Sequence, residues 1–300
     1  MILVFGGNGQ LGQELARAAA AKSIPLKALA RFAADITDQD AVRRALGAGR
    51  LSVVVNAAAY TKVDLAEKDV AQAESCNILG PGIVAAACAA AGVPLVHIST
   101  DYVFDGQKSE PYVEDDPIAP LGVYGRTKAE GEGRVRSALP RHVILRTAWV
   151  YGEFGRNFLK TMVRLAQERE ELRIVADQRG CPTSTRDLAS AILRIAPRLA
   201  AGDPVWGTYH YAGSGIATWH DFAGRIVAAQ APLTGRRPRV TAITTADYPT
   251  PARRPANSAF ACDRFAGVFG FRGRPWTKET DEITVAVVNA QQRTELHHGA

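Results

Sequence analysis

A phenol and an ammonium group lie four residues apart in the segment Tyr124-Gly125-Arg126-Thr127-Lys128. On a helix, side chains at this spacing point the same way, although any helix can carry such a pair by chance. A free tyrosine has a pKa of about 10 and is therefore a weak acid at neutral pH. We expect Lys128 to stabilise the phenolate, lower the pKa of Tyr124 and so allow it to donate a proton to a developing alkoxide.

A hydroxyl group precedes this pair, because Thr100 lies 24 residues before Tyr124 at the end of a predicted strand. From the edge of a sheet it could hold a carbonyl between an acid and a hydride donor. Lys128 could also bind the ribose hydroxyls of a nicotinamide cofactor. A threonine that ends a strand often reflects β-propensity alone. The three residues in this order nevertheless predict a catalytic set for carbonyl reduction.

A glycine-rich turn after the first apolar run could hold the hydride donor. Gly6, Gly9 and Gly12 are spaced three apart between a predicted strand and a predicted helix. Glycine adopts positive φ without penalty, and the N-terminus of the next helix presents free N–H groups to a phosphate. A tight turn with no ligand is the alternative. The position at the first strand–helix junction predicts a dinucleotide site formed by Gly6, Gly9, Gln10, Leu11 and Gly12.

Residues after the second and third apolar runs complete the predicted cofactor site. Arg31 could pair with a 2′-phosphate, which favours NADPH with NADH as the alternative, or it could be a solvated surface arginine. Asp35 and Ile36 are predicted to cover the adenine. Asp38 fits a helix N-cap. The small residues Ala57-Ala58-Ala59 leave room for the cofactor, or else allow tight helix–sheet packing.

Short apolar runs that alternate with alanine-rich stretches predict the elements that position these residues. The predicted strands contain Ile2–Phe5, Val53–Val55, Pro94–Ile98 and Val143–Leu145, and the predicted helices contain Gln10–Ala21 and Cys76–Ala91. Continuous apolar strands are typical of parallel sheets that are buried on both faces. The fold class is therefore predicted to be α/β, with a doubly wound parallel sheet of the Rossmann type.

Strands and helices alternate regularly in the first half of the chain and less regularly in the second, which predicts two domains. We expect residues 1–150 to form the dinucleotide-binding domain, with later segments returning to it. Residues 151–300 should mainly form a smaller substrate-binding lobe. In that lobe, the stretch Ala231–Pro255 is rich in Pro and Arg and predicts a loop, and a last helix is expected from about Trp276 to Gln291.

The composition is ordinary for a globular protein, with 47% hydrophobic and 22% charged residues. The net charge of +6 and the pI near 9.2 favour anionic partners. The arginines of the last third stand among Pro and Gly residues, without interleaved aromatic residues or a nucleic-acid module. We therefore expect a phosphorylated cofactor and a diphosphate-bearing substrate rather than nucleic acid.

No apolar run approaches the roughly 20 residues that a membrane span needs, which argues against a membrane partner. Met1–Phe5 lacks the basic start of a secretory signal and fits a first strand. The four cysteines, Cys76, Cys88, Cys181 and Cys262, show neither CxxC nor Cys/His ligand spacing. They predict free thiols in a reducing cytoplasm and no metal site.

Longer motifs resemble the extended short-chain dehydrogenase/reductases, and within them the family of dTDP-4-dehydrorhamnose reductases. They are Gly9–Gly12, Asn56–Asp64, Ser99–Gly106, Tyr124–Lys128, Arg146–Gly152, Asp177-Gln178 with Gly180–Thr183, and Arg254–Ser258. The glycine and Tyr–Lys motifs identify only the superfamily. The motifs that begin at Ser99 and Arg146, with the two later pieces, are far more specific.

The resemblance implies NADPH- or NADH-dependent reduction of the C4 ketone of dTDP-4-dehydro-L-rhamnose to dTDP-L-rhamnose. It implies that the predicted set at positions 100, 124 and 128 is catalytic, and that Val63, Tyr102 and Trp149 line the sugar pocket. Arg254 lies in the basic stretch that suits the diphosphate of the substrate.

The resemblance also allows a homodimer, because some members are described as Mg²⁺-linked dimers. Glu14 falls where one metal ligand would stand. In the second acidic region, however, Arg186 stands beside Asp187. This departure disfavours a metal bridge in the present chain.

Three other functions use the same fold. A nucleotide-sugar dehydratase usually has an Asp-Glu pair beside the threonine, whereas here Asp101 is followed by Tyr102, which cannot act as a carboxylate base. A 4-epimerase usually has Ser where this chain has Thr100. A non-catalytic, NADP-binding regulatory subunit would be expected to lack the tyrosine or the lysine, and both are present. A reductase acting on another nucleotide sugar also stays open.

Overall fold

The computed structural model describes residues 1–298, with side chains described as far as Arg293. Its strands are β1 Ile2–Phe5, β2 Leu26–Leu29, β3 Val53–Asn56, β4 Leu95–Thr100, β5 His142–Thr147, β6 Val150–Tyr151, β7 Glu171–Val175, β8 Arg179–Gly180, β9 Thr183–Ser184, β10 Gly207–His210, β11 Ala217–Thr218 and β12 Arg239–Ile243. Its α-helices are α1 Gln10–Ala21, α2 Gln39–Gly47, α3 Val63–Ala66, α4 Val70–Glu74, α5 Gly80–Ala91, α6 Val123–Ala138, α7 Phe158–Glu168, α8 Thr185–Ala201, α9 Trp219–Thr234, α10 Asp263–Phe269 and α11 Trp276–His298.

Six parallel strands form the central sheet in the order β10-β5-β4-β3-β1-β2. Alternate residues of β1 enter different cores, because successive side chains of a strand point to opposite faces. Ile2 and Val4 pack with the helices α1 and α8, and Leu3 and Phe5 pack on the face covered by α2, α5 and α6. This confirms the predicted α/β class with helices on both faces of a parallel sheet.

The predicted strands and the first helix agree closely with the structure, and α1 spans the predicted residues. The second predicted helix begins earlier, because α4 runs through a π-helical turn, Ser75–Leu79, into α5. This helical segment, Val70–Ala91, is long and apolar enough to cross a membrane by length and composition alone. Half of its residues are buried inside the fold, as in an ordinary core helix.

The region after residue 150 contains a second core, formed by α7, α9, α11 and the short parallel pair β7–β12. The predicted loop Ala231–Pro255 is wrong, since its start completes α9 and Arg239–Ile243 form β12. Pro and Arg residues suggested a loop, but all five residues of β12 pair with β7, which lies far away in the sequence. The division at residue 150 stays a prediction, and β10 joins the central sheet from beyond it.

Candidate active site

A cleft of about 700 Å³ opens where the strand order reverses between β1 and β3. Ligands of doubly wound sheets bind at such a switch point, beyond the carboxyl ends of the strands. The cleft is lined by residues that follow β1, β2, β3 and β4, and by residues of α6 and of the second core. Of the predicted site residues, the lining includes Gly6, Gly9, Gln10, Leu11, Arg31, Asp35, Ile36, Ala57, Ala58, Ala59, Val63, Thr100, Tyr102, Tyr124, Lys128 and Trp149.

The glycine turn after β1 provides an open phosphate site. Gly6 has a φ of +86°, and a Cβ there would lie 2.7 Å from the backbone nitrogen of Ala58. Gly9 precedes α1, and no side chain caps the free N–H groups of that helix. These groups fit the pyrophosphate of a dinucleotide. Gly12 does not line the cleft, because it packs against the backbone of Gly6 and lets the helix approach the turn.

At the adenosine end, Arg31 is paired with an acid. Its Nε donates to Oδ2 of Asp35 at 2.8 Å, and two-thirds of its side chain is exposed. Burial acts to raise the pKa of Asp35, but hydrogen bonds from Thr37 and Arg31 hold it below the usual value. Asp38 caps α2 through hydrogen bonds from the N–H groups of Asp40 and Ala41, which confirms its predicted role.

Helix α6 brings the predicted acid to the end of β4. Its N-terminus is fixed by Glu67, which accepts the N–H of Val123 at 2.8 Å. Gly125 lets the helix press against the carbonyl of Tyr102, where a Cβ would clash. The phenol of Tyr124 consequently lies beside the hydroxyl of Thr100, close enough for that hydroxyl to affect its pKa. The acid and the carbonyl-holding hydroxyl are therefore neighbours in the cleft.

The expected lowering of the pKa of Tyr124 is wrong for this structure. Burial raises the pKa of Tyr124 to about 12, and the nearby hydroxyl of Thr100 only partly opposes this. Lys128 is 2% exposed, and its Nζ donates to the carbonyl of Ile98 at 2.7 Å. Burial also lowers the pKa of Lys128 to about 8 against the effect of Glu132. Both groups are thus dominated by desolvation, which keeps Tyr124 protonated at neutral pH.

The opposite wall of the cleft is aromatic. The rings of Tyr102 and Tyr124 meet edge to face, with centroids 5.4 Å apart. Trp149 has a φ of +47°, a backbone conformation that is costly for a bulky residue. Its ring is held between Gly180, where no side chain would fit, and the ring of Trp219, which is stacked at a centroid distance of 3.6 Å.

Arg254 lies behind this wall rather than in the cleft lining. Its guanidinium lies 5.8 Å from the centroid of the Tyr102 ring, and its Nη2 donates to Oδ2 of Asp64 at 2.8 Å. Its Nη1 is buried and has no hydrogen-bond partner among the described residues. The arginine therefore supports Tyr102 and retains one unused donor.

Among the lining residues to which sequence reasoning assigned no role in this site are Asp101, Arg156 and Trp219. Asp101 was considered only as half of a dehydratase pair, although its place beside Thr100 was a usable signal. Arg156 and Trp219 carry no local signal, because their distance from the cleft depends on how the second core docks.

The acids considered for a metal bridge are engaged in the fold. Glu14 is buried and accepts from Nε and Nη2 of Arg17 at 3.1 and 2.6 Å. Asp187 accepts from the hydroxyl of Tyr211 and from the N–H of Arg274, each at 3.0 Å. Among the side chains of residues 1–293, no group of three or more His, Cys, Asp or Glu is arranged to hold a metal ion.

Comparison with known proteins gives consistent matches along nearly the whole chain. Residues 1–288 match the family described as RmlD substrate binding domain. A dTDP-4-dehydrorhamnose reductase of Sinorhizobium fredii is 43% identical over 289 residues, which cover 96% of this chain and 97% of the relative.

Two solved structures show the same likeness. A dTDP-4-dehydrorhamnose reductase from Clostridium acetobutylicum is 39% identical with a TM-score of 0.88, covering 95% of this chain and 99% of the other. One from Bacillus anthracis, in complex with NADP, is 34% identical with a TM-score of 0.87, covering 95% and 98%.

Proposed function

The chain belongs to the family described as RmlD substrate binding domain, and from this premise we propose that it reduces the C4 ketone of dTDP-4-dehydro-L-rhamnose to dTDP-L-rhamnose. The proposed reductant is NADPH, with NADH as the alternative. Relatives of the chain are dTDP-4-dehydrorhamnose reductases, and a structural neighbour is a complex with NADP. One observation carries the assignment: Thr100, Tyr124 and Lys128 meet in the cleft that also contains the glycine turn.

When bound in the cleft, NADPH supplies the hydride for the ketone carbon. The N–H groups at the start of α1 bind the pyrophosphate, and Arg31 binds the 2′-phosphate. Lys128 binds the nicotinamide ribose hydroxyls. Tyr124 donates the proton to the ketone oxygen, a role that its raised pKa permits because it remains protonated. Val63, Tyr102 and Trp149 hold the sugar, and Arg254 supports Tyr102 next to the diphosphate end.

The test is a turnover assay that follows the nicotinamide absorbance with NADPH and dTDP-4-dehydro-L-rhamnose. Tyr124→Phe should lower kcat by about 10²–10⁴-fold, the usual contribution of a general acid, and leave cofactor affinity intact. Tyr60→Phe is the matched control, because its hydroxyl bonds Asp69 outside the cleft lining. If wild type consumes no NADPH, the chain is a binding module. If Tyr124→Phe keeps most of its rate, Tyr124 is not the acid.

The substrate and cofactor preferences are tested separately. A panel of 4-keto sugars on different nucleotides should give the highest kcat/KM with the dTDP compound. Arg31→Ala should weaken NADPH binding about tenfold, which corresponds to one charge-assisted hydrogen bond, and leave NADH binding unchanged. Equal losses for both cofactors would remove Arg31 from the 2′-phosphate.

We also propose a cytoplasmic homodimer that binds neither nucleic acid nor membrane. The four cysteines are free thiols, and three of them are buried, which suits a reducing compartment. Sedimentation of the purified protein tests the assembly, and the addition of EDTA tests whether any dimer depends on a metal.

A further inference from the structure

A buried carboxyl group lies directly beside the catalytic hydroxyl. Asp101 is 2% exposed and lines the floor of the cleft. Its Oδ1 accepts the hydroxyl of Thr100, with the oxygens 3.0 Å apart. Its Oδ2 is buried and has no hydrogen-bond partner among the described residues, although the Ser258 side chain faces it. No Lys or Arg side chain forms a salt bridge with this carboxyl group within the described residues.

The hydroxyl of Thr100 has three neighbours and one proton. It accepts the N–H of Tyr102 at 3.3 Å, it donates to Asp101 at 3.0 Å, and the phenol of Tyr124 lies beside it. A hydroxyl group offers one donor and two acceptor lone pairs. An ionised Asp101 only accepts, so it takes the proton of Thr100 and leaves nothing to donate to a ketone. A protonated Asp101 donates instead, and the proton of Thr100 is then free for the ketone oxygen.

We propose that Asp101 is a positioning residue that acts through Thr100, and that its protonation turns the Thr100 hydroxyl toward the ketone oxygen. This inference rests on the proposed function, because it concerns the same reduction. No bond is made or broken at Asp101. The carboxyl group only selects which of two directions the hydrogen bond between Asp101 and Thr100 takes.

The surroundings of Asp101 keep it protonated to a higher pH than an exposed aspartic acid. Burial raises the pKa of Asp101 to about 6. The titratable groups that face it are Tyr102, Tyr124 of α6 and Cys181 between β8 and β9. Burial raises the pKa of each of them, so all three are neutral at pH 7 and supply no counter-charge. Arg254 beyond Tyr102 is paired with Asp64.

The sign of the pH dependence follows directly. As the pH rises through about 6, Asp101 ionises and sequesters the proton of Thr100. Above that point, kcat of the wild type should fall by about tenfold for each pH unit, as for a single required proton. Cofactor affinity should not follow this decline, because Asp101 controls only the carbonyl contact.

The experiment compares wild type, Asp101→Asn and Asp105→Asn from pH 5 to 8.5. An asparagine amide can donate to Thr100 at every pH, so Asp101→Asn should remain active and vary less than about twofold. Asp105→Asn should keep the wild-type profile, because Asp105 bonds Tyr112 and Gln107 away from Thr100. An Asp101→Asn variant that binds NADPH but is inactive, or that keeps the wild-type decline, overturns the proposal.

A second measurement needs no turnover. Infrared difference spectra between pH 4 and 8 should show a protonated carboxyl band that disappears near pH 6 in the wild type and is missing from Asp101→Asn. The variant separates Asp101 from Asp187, whose pKa is also raised by burial. If the two proteins give the same spectra, the proposal fails while the reductase assignment stands. If the wild type reduces no sugar nucleotide at any pH, the proposed function fails instead.

Discussion

Two buried carboxyl groups stand on opposite faces of the last residues of β4, and their surroundings differ in one respect. The hydroxyl of Ser99 donates to Glu132 Oε1 at 2.6 Å, and the hydroxyl of Thr100 donates to Asp101 at 3.0 Å. Glu132 also accepts from Nε and Nη2 of Arg146, at 2.9 and 2.8 Å. Asp101 has no such guanidinium partner.

The protonation of the two acids diverges accordingly. Burial acts to raise the pKa of Glu132, but the hydrogen bonds and charge of Arg146 bring it below the usual value. On Asp101 burial prevails over the opposing hydrogen bonds, and its pKa rises to about 6. Burial therefore does not fix the charge of an acid, because the presence of a counter-ion decides it. One face of β4 joins α6 to β5 through an ion pair, and the other holds a group that can change its charge.

The largest expected effect on stability is on the face of β4 where Glu132 is paired with Arg146. Arg146→Met should lower the free energy of unfolding by about 3–5 kcal/mol, because it leaves Glu132 buried without its partner. Urea unfolding at pH 7 measures this loss. Arg136→Met is the control, since Arg136 pairs with the same carboxylate at 3.2 Å but is 38% exposed, and should cost at most about 1 kcal/mol. Similar losses for both variants would contradict the distinction between the pairs.

Replacement of each acid by its amide should change the free energy of unfolding in opposite directions for Asp101 and Glu132. The pKa of Asp101 is about 6 in the folded chain against an ordinary value of 3.8, so its contribution to stability is lost as the pH rises from about 4 to 6. Asp101→Asn should therefore stabilise the fold at pH 8 by up to about 3 kcal/mol and not at pH 4. Glu132→Gln should destabilise it at pH 8, because the pKa of Glu132 is lowered.

Urea unfolding of both amide variants at pH 4, 6 and 8 tests these signs. The stabilisation by Asp101→Asn should grow between pH 4 and 6 and then level off. A destabilising Asp101→Asn at pH 8 would show that its carboxylate has a counter-charge after all, and the comparison would lose its basis.

The smallest effect on stability is expected from the hydroxyl of Ser99, which bonds Glu132. Ser99→Ala removes one hydrogen bond to a charged acceptor and should cost about 1–2 kcal/mol of stability, with kcat almost unchanged. Thr100→Val changes the adjacent residue and should show the reverse pattern, with a large loss of kcat and a small change in stability. Melting curves and turnover assays on the two variants separate these outcomes. A loss of kcat in Ser99→Ala would show that the two faces are not independent.

Much of the sheet and of the cofactor cleft could be predicted because the signals are local. The apolar run of β1 and the glycines that follow it specify a buried strand and an open turn within a dozen residues. The spacing of Tyr124 and Lys128 is a property of one helix. By contrast, Arg239–Ile243 form a strand only because Glu171–Val175 are available to pair with them.

The sequence by itself determined which residues follow several strands of a parallel sheet, because strand positions and helix period are set by short patterns. Only the tertiary structure decided the partner of Trp149 and the protonation of the acids around Thr100. Both depend on desolvation and on groups from distant segments. The carboxyl group beside Arg146 ionises below the usual pH, whereas the one beside Thr100 stays protonated up to about pH 6, and no local pattern records that difference.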